Sequence, residues 1–226
     1  MKAMLLAAGR GERMGALTAN CPKPLLPVAG KPLLQHHLER LAAAGIHQVV
    51  VNAYYLAEAI QGFLDSWHAA PLDVELVIEP ELLETGGGIH NALPLLGEQP
   101  FLVINSDVWT DYPLATLLDK GASLLARNDL AYLILVDNPE HNSGGDFALK
   151  EQQRVQNEGQ PMATFSGVSI LTPALFADSS PGRFALGPLL RDAVNRNQVG
   201  GEFYRGRWVD VGTPQRLQSV EESLKE

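Results

Sequence analysis

Apolar runs of strand length alternate with stretches of helical spacing through the first 136 residues, and that alternation narrows the possible folds more than any other feature. Lys2 to Ala8, Gln48 to Asn52, Phe101 to Ile104 and Ala131 to Val136 read as buried strands, and Leu72 to Ile78 alternates apolar with acidic residues. Between them lie helical patterns. Pro32 can sit in the first turn of one, with Leu34, Leu38 and Leu41 on a single face until Gly45 stops it. Leu56 to Trp67, Ile89 to Leu96 and Leu114 to Leu125 read as further helices. His36 and His37 are adjacent and do not share a helix face, so they are expected as helix or surface residues and not as metal ligands. The expected fold is α/β, a three-layer Rossmann-like mixed, mainly parallel sheet with helices on both faces.

The rest of the chain has a different texture. Asn138 to Gly145 is polar and Gly-rich, and Phe147–Lys150, Arg154–Asn157 and Phe165–Leu171 are short strand-like pieces of a small antiparallel region. Leu186 to Asn197 reads as a helix and Glu202 to Val211 as a strand; Thr213-Pro214 opens a last helix as N-cap and first residue. No linker separates independent domains, so 1–226 is expected to be one domain with halves 1–136 and 137–226. A formal net charge of -9 argues against general nucleic-acid binding. The single cysteine, Cys21, excludes an intrachain disulfide. Met1 leads straight into the first strand and no apolar run reaches membrane-spanning length, so the expectation is a cytoplasmic protein without a membrane partner.

Chemistry concentrates where the first strand ends. Gly9-Arg10-Gly11-Glu12-Arg13-Met14-Gly15 follows it, and then comes a lysine between two prolines, Pro22-Lys23-Pro24, which should hold its backbone extended. Glycines let backbone N–H groups approach a ligand, and Arg13 and Lys23 suit phosphate oxygens. This is neither of the two commoner phosphate motifs. A Walker loop needs Gly-Lys where Gly15-Ala16 stands, and the dinucleotide fingerprint is one residue shorter than the Gly9, Gly11, Gly15 spacing. Asp107 after a buried strand and Asp210 between valines are carboxylates that need a cation or donors. Two such groups beside a polyphosphate cradle make a Mg²⁺ site. Gly86-Gly87-Gly88 sits in an expected loop, Glu79 to Gly88, where it could form a flexible turn or lie flat against a planar ring.

Taken together and in order, Gly9 to Met14, Pro22 to Val28, Gly86 to Gly88, Asn105-Ser106-Asp107 and Trp208 to Pro214 resemble the motifs of sugar-1-phosphate nucleotidylyltransferases. The short chain and its Leu83 to Ile89 segment are most similar to the N-acetylmuramate-1-phosphate uridylyltransferases of bacterial peptidoglycan recycling. Mannose-1-phosphate guanylyltransferases and glucose-1-phosphate thymidylyl- or uridylyltransferases are the alternatives. The resemblance implies that Ala8, Gly9, Gly11, Glu12, Arg13, Lys23, Glu79, Gly86 and Gly87 bind the nucleotide, with Arg13 on the leaving pyrophosphate and Lys23 on the α-phosphate. It implies Mg²⁺ on Asp107 and Asp210, and a sugar side built from Asn105, Gly145, Asp146, Glu158, Ser166 and Gly167. Arg13, Lys23 and Asp107 would be the catalytic residues, and the partners UTP and a sugar 1-phosphate. Many relatives carry Glu-Lys-Pro where this chain has Glu158-Gly159-Gln160-Pro161, which leaves one cationic contact to the sugar phosphate without a candidate.

The implied reaction is an in-line displacement at the α-phosphorus, in which a sugar phosphate already anionic near neutral pH needs no general base. Arg205 or Arg207 would face the lactyl carboxylate of a muramyl acceptor, or else decorate a solvated turn around Gly206. A non-catalytic nucleotide sensor is the reading from another class, and the presence of Asp107, Asp210, Lys23 and Arg13 together argues against it.

Overall fold

A computed structural model describes residues 1–68 and 71–224. The strands, in chain order, are β1 (Ala3–Leu6), β2 (Pro27–Val28), β3 (Lys31–Pro32), β4 (Gln48–Ala53), β5 (Asp73–Ile78), β6 (Phe101–Asn105), β7 (Val108–Thr110), β8 (Ala131–Val136), β9 (Phe147–Lys150), β10 (Arg154–Gln156), β11 (Met162–Leu171), β12 (Val199–Phe203) and β13 (Trp208–Asp210). The α-helices are α1 (Leu33–Ala43), α2 (Ala57–Ser66), α3 (Glu84–Leu96), α4 (Leu118–Arg127), α5 (Leu186–Asn195) and α6 (Pro214–Ser223). A 9-stranded sheet runs β5-β4-β1-β6-β11-β8-β12-β10-β9.

The sheet is mixed in the way the sequence pattern implies. β5, β4, β1 and β6 run parallel to one another, as βαβ crossovers require, and β12 runs parallel to β8. β11 lies antiparallel between β6 and β8, and β10 and β9 extend the antiparallel edge. β8 is therefore cut off from the parallel block by a strand from later in the chain. The division at residue 136 is one of sequence and not of space.

Side chains alternate across the strands and feed two cores. Leu5, Val49, Val51 and Ile104 meet Leu34, Leu38 and Leu41 of α1 on one face. Met4, Val50 and Val103 meet Ile89 and Ala92 of α3 and Leu190 of α5 on the other. Each fully buried Leu, Ile or Val contributes about 1.5–3 kcal/mol, which is what holds three layers together. A third cluster joins Met14 of the Gly-rich loop, Leu26 and Val28 to Val211 and Val220, tying the start of the chain to α6.

Three expectations need correcting. Gly86 to Gly88 are not in a loop but in the first turns of α3, which begins at Glu84. The supposed strand Glu202 to Val211 is two strands in different sheets, β12 in the main one and β13 paired with β7, parted by the turn around Gly206. Lys23 is not extended: it opens a 3₁₀ turn, Lys23–Leu25, in which Leu25 N–H donates to Pro22 O at 2.8 Å. Among the described residues no helix is long and apolar enough to cross a membrane.

His37 of α1 is 2% exposed, and neither ring nitrogen has a hydrogen-bond partner. Burial holds its pKa down, at about 4 against an ordinary 6.5, with the Arg40 charge adding to the effect. The Ser106 backbone and Asp107 work the other way, more weakly and without hydrogen-bond geometry. The unfolded chain thus takes up a proton that the native one refuses. Stability from this residue is complete above the unfolded pKa of 6.5 and declines as pH falls towards 4, by about 3 kcal/mol in all. His37→Phe should flatten that slope. In urea denaturation at about pH 7 and pH 4.5, wild type should lose more stability than the variant, and equal losses would refute the assignment.

Candidate active site

β1 and β6 are parallel neighbours, so the segments that leave them emerge on the same edge of the sheet. A cleft of about 590 Å³ opens there. Ala8, Gly9, Gly11, Glu12 and Arg13 line it from the loop after β1, and Asn105, Ser106 and Asp107 from the turn after β6. Lys23, Asn52, Leu82, Glu84, Thr85 and Gly212 complete the wall.

The loop is held in shape by its own residues. Gly11 has φ +65, and a Cβ there would stand 3.1 Å from the Lys23 Cβ, so glycine serves both the turn and the lysine stem beside it. A 3₁₀ segment, Glu12–Thr18, follows at once, interrupted at Gly15. The Thr18 hydroxyl can donate to Gly11 O at 3.1 Å or Gly15 O at 3.2 Å, and Met14 N–H donates to Gly11 O at 2.8 Å. Arg13 projects from this segment, exposed, towards Gly212.

Lys23 is 8% exposed and its Nζ stands 2.6 Å from Asp107 Oδ2. A buried ammonium needs such a partner or an anionic ligand. Asp210 is brought to the same place by strand pairing. β13 pairs antiparallel with β7 with Asp210 opposite Val108, the residue after Asp107, and Val211 N–H donates to Asp107 O at 2.7 Å. The two residues are thus one register step apart along the backbone. Each already carries a cation, Lys23 on Asp107 and Arg216 on Asp210. His141 Nε2 lies 3.3 Å from Asp210 Oδ2. Among the described residues no group of three His, Cys, Asp or Glu surrounds a point. Asp107 lines the cleft and Asp210 stands behind it, two residues before the lining Gly212; a carboxylate pair of this kind fits Mg²⁺, which fills its octahedron with phosphate oxygens and water.

Several residues assigned to the nucleotide lie behind the cleft wall. Glu79 is 3% exposed, and its carboxylate accepts from Asn52 Nδ2 at 2.6 Å and Leu83 N–H at 3.0 Å. It does not line the cleft; Asn52 does, and accepts Ala7 N–H at 2.8 Å on its own oxygen. Glu79 therefore steadies the loop's first residue through Asn52. Gly86 and Gly87 do not line the cleft either. They are small because the 182–185 segment packs on them: a Cβ on Gly86 would stand 2.5 Å from the Phe184 ring. Gly88 leaves room for the Asn52–Glu79 pair. Leu82, Glu84 and Thr85 are the residues of this region that reach the cleft, and Glu84 does so from a left-handed φ of 62.

Of the residues expected on the acceptor side, only Asn105 lines the cleft; Gly167 has φ +78 and a Cβ there would collide with the Asn105 amide, so these two stand in contact. Ser166 is 1% exposed; its hydroxyl accepts Val168 N–H and its carbonyl accepts Trp208 Nε1–H at 2.8 Å. Asp146 accepts from Phe165 N–H at 2.8 Å and Asn142 Nδ2 at 3.1 Å, and Gly145 turns beside Ala163 and Asn138. Glu158 sits on an exposed bend. Arg207 lies over Trp109 with its Nε 3.3 Å from Asp111, and Arg205 lies over Phe203, so both have aromatic neighbours. Asn52, His141 and Arg216 were missed from the sequence. Asn52 had a signal, a polar residue closing a buried strand, and the other two had none.

A family model for nucleotidyl transferases matches residues 2–157. The chain belongs to the nucleotidyl transferase family. This nucleotidyltransferase is 47% identical to the N-acetylmuramate alpha-1-phosphate uridylyltransferase of Neisseria meningitidis serogroup B, across 98% of its own length and 97% of that protein. It is 37% identical to the protein of the same name from Caulobacter vibrioides, across 99% and 97%. The mannose-1-phosphate guanyltransferase of Hypocrea jecorina is 31% identical, across 95% of this nucleotidyltransferase but 61% of the longer protein. Two solved structures share the fold. HddC from Yersinia pseudotuberculosis complexed with GMP-PN superposes with a TM-score of 0.80 at 21% identity over 99% of both chains. UDP-glucose pyrophosphorylase complexed with UDP-glucose gives 0.79 at 19% identity, over 99% of this chain and 98% of that one.

Proposed function

We propose that this nucleotidyltransferase moves a uridylyl group from UTP to N-acetylmuramic acid 1-phosphate, releasing pyrophosphate, with Mg²⁺ held by Asp107 and Asp210. The observation that carries the reaction type is the Lys23–Asp107 contact at 2.6 Å, at the floor of a cleft whose wall is a Gly-rich loop. The choice of substrates rests on near full-length identity of 47% to a uridylyltransferase, against 31% to a guanyltransferase.

The acceptor's phosphate oxygen bonds to the α-phosphorus of UTP, the bond from that phosphorus to the β-bridging oxygen breaks, and its electrons leave with pyrophosphate. Bound Mg²⁺ would neutralise and orient the phosphoryl oxygens. Lys23 gives its ammonium to the oxygens where donor and acceptor meet, and Arg13 takes the leaving oxygens. Loop N–H groups hold the chain of phosphates in line. Two anions must be brought together, and these cations make that contact possible in an acidic protein.

A panel of UTP, dTTP, GTP and CTP crossed with muramyl, glucosaminyl, glucosyl and mannosyl 1-phosphates, read by pyrophosphate release, tests the reading. UTP with the muramyl substrate should give the highest kcat/KM, and a preference for GTP with mannose 1-phosphate would replace it. Asp107→Asn should remove most Mg²⁺-dependent turnover, about a hundredfold or more; near-normal turnover would withdraw Asp107 as a ligand.

A further inference from the structure

Arg216 is badly placed for a residue that only stabilises its helix. It stands in the first turn of α6, where the positive end of the helix dipole disfavours a cation. Its side chain is 20% exposed, and Nη1 bonds to Asp210 Oδ1 and donates to His141 Nε2 at 2.9 Å. The other arm lies against the cleft wall. Gly212 lines the cleft, and a Cβ built on it would stand 2.5 Å from Arg216 Nη2 and 3.3 Å from Arg13 Nη2. Two guanidinium groups therefore face the same small stretch of wall. Like charges so placed gain from an anion between them.

We propose that Arg216 is an exchangeable counter-ion, holding Asp210 while no divalent cation is bound and turning to a phosphoryl oxygen beside Arg13 when the cation displaces it. The inference rests on reading Asp210 as a metal ligand. Arginine suits the exchange because its donors form a rigid fork, here with one prong on the carboxylate and one beside Gly212 of the cleft wall. A lone aspartate paired this way stays neutralised in the empty protein. Metal and phosphate then help each other bind, because each removes the competitor of the other, and such coupling is reciprocal.

Manganese titration of the nucleotide-free protein, read from the free Mn²⁺ resonance, tests the first half. Arg216→Gln should bind Mn²⁺ about five- to tenfold more tightly than wild type, and Arg216→Lys, which keeps a charge but not the fork, should show a smaller gain. Calorimetry in EDTA tests the second half, with pyrophosphate and N-acetylglucosamine 1-phosphate as separate probes. Asp210→Asn frees Arg216 and should tighten one of the probes by a similar factor, and that gain should vanish when Arg216→Gln is added. A gain with pyrophosphate assigns the oxygen to the donor, and a gain with the sugar phosphate assigns it to the acceptor. Unchanged Mn²⁺ affinity in both Arg216 variants, or a gain in Asp210→Asn that survives loss of Arg216, overturns the exchange. Wild-type Mn²⁺ affinity in Asp210→Asn would instead remove the reading of Asp210 on which it rests.

Discussion

Lys23→Met should lower kcat by about a hundred- to a thousandfold, the loss seen when one preorganised donor to a developing anion is removed. Methionine keeps much of the stem's volume, so packing against Gly11 survives while the ammonium does not. The change also leaves Asp107 without its partner at 2.6 Å. That carboxylate is 34% exposed, so water compensates it in part, and the folded state should lose little. Lys23→Arg should not restore the rate. The stem runs against the Gly11 backbone, and a planar fork cannot occupy the site of a compact ammonium. Pyrophosphate release at saturating substrates, beside a thermal melt, separates the two effects. Turnover close to wild type in Lys23→Met would remove Lys23 from the reaction.

The second large effect is on stability. Gly87→Ala places a methyl group 2.1 Å from the Gly182 carbonyl oxygen, which belongs to backbone and cannot swing aside. The 182–185 segment must move off α3, and Gly87 N–H loses its 2.9 Å bond to Phe184 O as it does. The expected loss is about 3 kcal/mol or more, combining overpacking with a broken buried hydrogen bond. For a chain of this size that lowers Tm by about 6–12 °C. Gly62→Ala is the matched control, because it too is helical and a Cβ there has nothing within 4 Å. That variant should gain about 0.5–1 kcal/mol from helix propensity. Opposite signs at two helical glycines support the packing account, and a neutral Gly87→Ala would sink it.

Gly87 also shows where sequence reading stops. Three glycines in a row suggest a turn or a ligand platform because the usual reason for glycine is backbone freedom. Here the φ values are helical, and the reason is the nearness of a segment about a hundred residues further on, which no local pattern contains. The alternating first half was legible because period and length report burial directly, and strands such as Phe101–Asn105 have no other reading. The reach of the Gly-rich loop and Lys23 into one cleft with Asp107 was legible for a related reason: parallel strands deliver their ends to one edge. Asp210 was visible as a carboxylate out of place between valines, but its partners were not. Arg216 looks like any helix residue until β13 is paired with β7, and His141 like any loop histidine. Glu79 was expected on the nucleotide and lies behind the cleft wall; a buried acid near a ligand site and an acid lining it look alike in one dimension.

The pairing of β7 with β13 fixes the order in which the molecule becomes competent as it is synthesised. A nascent chain that has emerged through residue 157, the limit of the family match, already carries the Gly-rich loop, Lys23 and Asp107. It lacks β11, so the side of β6 facing β8 is an open edge, and it lacks Asp210. Domains form from the N-terminus as they leave the ribosome, at about 5–20 residues per second. The second carboxylate therefore arrives about a hundred residues after the first, together with Arg216 to neutralise it. A product truncated there would carry the Gly-rich loop, Lys23 and Asp107 without Asp210, and under the function proposed above it would be catalytically silent.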